Sequence, residues 1–66
     1  MIHDDNELAV TRSRIRYMLD LLAQLRVTSR PEEFPLVASG YRAEVERMQR
    51  DELDYLTQHA IKAKAG

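Results

Sequence analysis

Two histidines stand near opposite ends of the chain, His3 and His59. His3 is third from a free amine. Amine, two amides and imidazole together make a square-planar nitrogen set suited to Cu(II) or Ni(II). Such a set needs no fold, and the reading adopted is a terminus with no metal and no cofactor. His59 has no second ligand in view and reads as a surface histidine near a helix C-terminus. Acidic residues are dense at Glu44, Glu46, Asp51, Glu52 and Asp54. Di-metal helical bundles pair such carboxylates with a Glu-x-x-His motif, which is missing here. Arg42, Arg47 and Arg50 sit among them at ion-pair spacing, so the group reads as a solvated face. Glu52 falls on the apolar stripe, as an edge carboxylate reaching water or a device for selecting register or partner. There is no cysteine, no Ser-His pairing at a recognisable turn and no Gly-rich phosphate loop. No catalytic residue is assigned, and the chain reads as a non-enzyme.

The remaining candidates for chemistry are Arg12, Arg14 and Arg16. With a helix starting at Thr11 they would lie in its first turns, where cations oppose the dipole. Something negative is then expected nearby. Asp4, Asp5 and Glu7, from the same chain or a symmetry mate, are the favoured answer. A phosphate backbone or an acidic partner is the alternative, which would make this a small nucleic-acid-associated regulator. Against nucleic acid stand the near-balanced charge, the lack of a Lys-rich stripe and the absence of interleaved aromatics.

These residues must be positioned by few elements. Residues 1–10 lack helical periodicity, and Glu7-Leu8-Ala9-Val10-Thr11 alternates polar and apolar side chains as a half-buried strand would. An extended N-terminal arm over 1–10 is expected, pairing with its counterpart in a second subunit or lying across the helices. Thr11 is a suitable N-cap, and Ile15, Met18, Leu19, Leu22 and Leu25 recur at helical spacing. This predicts a first helix over about 11–26. Val27-Thr28-Ser29-Arg30-Pro31 then breaks the pattern. A second helix opens at 31, where Ser29 and Glu32 have capping-box spacing, or at 35, where proline suits a first turn. It carries Phe34, Val37, Ala38, Tyr41, Val45, Met48, Tyr55 and Leu56 on one stripe and runs to about 62. Gly40 inside it costs about 1 kcal/mol relative to Ala and is a candidate for close approach between helices. The fold class is therefore all-α, an antiparallel two-helix hairpin over 11–66 with an extended N-terminal arm.

The chain has 66 residues, 44% of them hydrophobic, with one Phe, three Tyr, no Trp and a net charge of -1. That is enough for one thin core, and a core of this size supplies only about 3–5 kcal/mol. Without cysteine, neither a disulfide nor a thiolate-held zinc can staple it. The acidic start does not read as a secretory signal, and no apolar run reaches the roughly 20 residues of a membrane span. The expected setting is a bacterial-type cytoplasm, without a membrane. At ~1.5 Å per residue the predicted helices differ in length, ~25 Å against ~40 Å. Leu53, Tyr55, Leu56 and Ile61 would then overhang, and each large apolar side chain left in water forfeits on the order of 1.5–3 kcal/mol. Pairing into a helical-bundle homodimer answers this, with Leu8, Val10, Tyr41, Met48, Leu53, Tyr55, Leu56 and Ile61 as the interface.

Asn6-Glu7-Leu8-Ala9-Val10-Thr11, then an amphipathic helix, a Pro-containing break and a long Glu- and Arg-rich helix ending near Tyr55, resembles the N-terminal region of bacterial host-inhibition-of-growth-type antitoxins and related small helix-turn-helix regulators. The resemblance spans most of the chain. In longer members this region precedes a repressor-like DNA-binding domain, which has no counterpart here, so DNA binding is not implied. What the resemblance implies is a dimerising or partner-binding module, using Leu8, Val10 and the helix stripes, with no catalytic residues.

Overall fold

The computed structural model describes residues 1–58. Two α-helices, α1 (Asp5–Thr28) and α2 (Phe34–Leu56), pack against each other as an antiparallel hairpin. There is no strand among the described residues.

The expected arm is replaced by helix: residues 5–10 form the first turns of α1. The cause is local. Asp4 is extended and its Oδ1 accepts from the Glu7 N–H at 2.8 Å. Glu7 reaches back, its Oε1 accepting from the His3 N–H at 2.8 Å. This is the reciprocal logic of a capping box, displaced by one residue on the return bond. Asp5 and Glu7 also place negative charge at the positive end of the helix dipole. Thr11 is thus an interior residue and not a cap.

At its other end α1 continues through Val27 and Thr28, two β-branched residues expected to break it. The Thr28 hydroxyl donates to the Gln24 carbonyl at 3.0 Å, a bond open to Thr inside a helix. Ser29 caps the C-terminus in an extended conformation, its N–H donating to Leu25. The Ser29–Glu32 capping box does not form. Residues 29–33 turn the chain, and α2 starts at Phe34 with proline in its first turn. Glu33 occupies the N-cap without a side-chain bond and is instead within 3.5 Å of Arg30. The continuation of α2 to 62 lies outside the described residues.

The helices are therefore nearly equal, 24 and 23 residues, and among the described residues there is no overhang. Starting α1 six residues earlier lengthens it by ~9 Å, enough to cover α2 to its end. The core is small. Ile15, Val45 and Met48 form its centre, with Met18 against them, and Ile2 and Leu8 are also buried. Among the described residues no side chain is completely enclosed. Gly40 does not mark a close approach within the hairpin, because a Cβ added there would meet nothing within 4 Å.

Candidate functional site

The open end of the hairpin is fastened by polar contacts between residues far apart in sequence. The Tyr55 hydroxyl donates to Asp5 at 2.7 Å, the Arg12 Nε to Glu52 at 2.7 Å, and the Met1 amine to Asp51 at 3.3 Å. Arg47 lies between Glu44 and Asp51 on α2 and bonds both. These side-chain contacts bracket the register: Asp5 reaches Tyr55, and Arg12 reaches Glu52.

They also reassign the arginine cluster. With α1 starting at Asp5, Arg12, Arg14 and Arg16 fall beyond its first turn, so the dipole no longer opposes them. Within the chain Asp4 and Glu7 are occupied in the cap and Asp5 by Tyr55, and none of the three pairs with the cluster there. Arg12 pairs instead with Glu52, whose place on the apolar stripe is that of an edge carboxylate. At 100° per residue Arg12 and Arg16 share a side of α1 and Arg14 points away from both. Helical phase therefore divides the cations, and no three-arginine patch forms. Arg14 and Arg16 make no ion pair among the described residues.

Hydrogen bonding to Asp5 is the main cause that raises the Tyr55 pKa above the ordinary tyrosine value, with desolvation and the charges of Asp5, Asp4 and Glu7 adding to it. A group whose folded pKa is raised contributes stability that is full below its unfolded pKa and is lost as pH rises through the folded one. The Tyr55–Asp5 contact should accordingly release on the alkaline side of normal tyrosine titration. Spectrophotometric titration is expected to show one of the three tyrosines ionising late, and Tyr55→Phe to remove that late step. An unchanged profile in the variant would discount the contact.

His3 is placed by the cap and not by a ligand set. Its backbone N–H, one of the nitrogens a terminal Cu(II) site would deprotonate, donates to Glu7, and the terminal amine faces Asp51. Metal binding there would have to dismantle the start of α1. Among the described residues no three His, Asp or Glu side chains converge to hold a metal ion. His59 and Ile61 lie outside the described residues.

The expected interface residues divide. Leu8 and Met48 are consumed in the core of the single chain. Tyr41 and Tyr55 are half-buried, whereas Val10, Leu53 and Leu56 are exposed. One concavity among the described residues was not anticipated. It is a groove of ≈ 590 Å³ on one flank of the hairpin, floored by Leu22, Ala38, Phe34 and Val45 and edged by Leu19 and Arg42. Its signal in the sequence was the width of the two apolar stripes, too broad for a two-helix seam. A shallower hollow on the other flank has Met18, Val37 and Tyr41 on its walls.

No family model, no curated protein and no solved structure matches this chain. Among the described residues no helix is long and apolar enough to cross a membrane.

Proposed function

We propose that this chain is a non-enzymatic interaction module that acts as a homodimer and binds another protein, in the manner of a small antitoxin-like or accessory regulatory protein. The observation that carries this reading is the imbalance of apolar surface. Five hydrophobic residues are buried, while Tyr17, Leu19, Val27, Leu36, Leu53 and Leu56 are each at least 45% exposed. Two helices cannot enclose stripes this wide, and the usual remedy is to add two more from a second copy. The nucleic-acid alternative loses its footing, since Arg12 is committed to Glu52 and Arg14 points away from Arg16.

Sedimentation equilibrium of the untagged chain over a wide concentration range tests this reading. The expected result is a reversible shift toward twice the chain mass. A folded monomer at every concentration would overturn the homodimer.

A further inference from the structure

The groove carries more than apolar surface. Its α2 edge presents Pro35, Ser39, Arg42 and Glu46, spaced by four, three and four residues and so aligned in one row. Ala23 lies on the α1 edge, and the same spacing aligns Arg16, Asp20 and Val27 with it. All eight are exposed. The contacts Asp5–Tyr55 and Arg12–Glu52 bracket the register, and at its midpoint, which the turn over 29–33 also gives, the two rows correspond level by level along the hairpin. Arg16 is level with Glu46, Asp20 with Arg42, Ala23 with Ser39 and Val27 with Pro35. Each level holds opposite charges, two small residues or two apolar ones. Within one chain these partners stand on different helices, and of the α1 row Ala23 is the member that lines the groove. Arg16 and Asp20 make no ion pair among the described residues, and Arg42 and Glu46 reach only each other, at 3.7 Å.

We propose that the groove is closed by a second copy of this chain, related by a two-fold axis parallel to the helices. This deepens the homodimer reading above and rests on it. Such an axis lays the α1 row of one chain on the α2 row of the other at unchanged height. Arg16 then meets Glu46 of the partner subunit, Asp20 meets Arg42 of the partner subunit, and the small and apolar levels meet below them. Leu19, Leu22, Phe34 and Val45 of both chains fill the centre of an antiparallel four-helix bundle. The other two-fold that joins the same faces runs across the helices. It would pair each row with its own copy, a self-pairing that reversing both charges of a row leaves unchanged, so row variants tell the two axes apart.

Charge exchange tests both the face and the axis. One variant reverses the α1 row, Arg16→Glu with Asp20→Arg; the other reverses the α2 row, Arg42→Glu with Glu46→Arg. Both keep the net charge and the intrahelical spacing of opposite charges, so folding is spared and circular dichroism can verify it. In either variant alone all four intersubunit pairs become like-charged, and self-association at low ionic strength should weaken on the order of a hundredfold. Mixing the two variants makes every pair opposite again, and a heterodimer of near wild-type affinity is expected. Wild-type protein that stays monomeric would sink the homodimer reading and this inference together. A wild-type dimer whose row variants associate normally, while Val37→Glu on the opposite flank abolishes association, would overturn the assigned face and leave the reading standing. Weakened variants that fail to pair on mixing would overturn the axis.

Discussion

Ile15→Ala should leave the chain largely unfolded at room temperature. Ile15 is one of three residues at the centre of the core, 8% exposed, beside Val45 and Met48 at 5%. Truncating a buried aliphatic residue to alanine typically costs about 2–5 kcal/mol, through lost transfer energy and the cavity left behind. A chain of this size holds about 3–5 kcal/mol in total, so one such change consumes most of it. No second layer is present to compensate among the described residues, where no side chain is completely enclosed. Thermal and urea melts followed by far-ultraviolet circular dichroism are the measurement, at one fixed concentration because association would add to stability. Val27→Ala, at a position 72% exposed, is the control and should change little in the monomer. A melting curve for Ile15→Ala matching the wild type would mean that stability resides elsewhere.

Asp4→Ala should unravel the first turns of α1. Replacing an N-cap aspartate by alanine costs about 0.5–2 kcal/mol. Here the Asp4 side chain holds the Glu7 N–H and its carbonyl accepts from Leu8 at 3.0 Å. Leu8 is buried and Asp5 is the acceptor for Tyr55, so the loss reaches the open end of the hairpin. For a domain of this size ~1 kcal/mol lowers Tm by roughly 4–8 °C. Amide exchange should accelerate at residues 6–8 first, and Asp4→Asn, which keeps an acceptor oxygen, should retain most of the protection. Equal protection in the alanine variant would show that the cap is not what starts the helix.

The same residues explain what could be read in advance. Ile15, Met18, Leu22 and Leu25 on α1, and Tyr41, Val45 and Met48 on α2, recur at helical spacing, and both helices follow them. The start of α1 was misread because Glu7-Leu8-Ala9-Val10-Thr11 alternates like a strand over five residues. Two opposing signals were present: Asp4 and Glu7 at capping-box spacing, and Leu8, Thr11 and Ile15 continuing the helical stripe upstream. Over so short a stretch a period of two and a period of 3.6 are hard to separate, and capping decides. That error produced the unequal helices and the overhang. It also put the arginines in a first turn they do not occupy. The ion pairs Arg12–Glu52 and Met1–Asp51 were not legible, because they depend on a register fixed only once α1 begins at Asp5.

The five-residue corner also bears on how two copies can meet. A helical hairpin can open its turn, fuse both helices into one rod and exchange halves with a neighbour, keeping the same contacts in an interlocked pair. In this chain such a rod would carry Pro31 and Pro35 in its interior. Each would delete a backbone hydrogen bond and press its ring on the carbonyl four residues before, at a cost of ~3 kcal/mol or more. Residue 30 would in addition be forced into the α region that a following proline disfavours. The two prolines lie one helical turn apart, so a straightened corner would suffer both penalties within a single turn. The bend between α1 and α2 is therefore a lock on topology: this sequence can pair as folded hairpins, but it is guarded against trading arms.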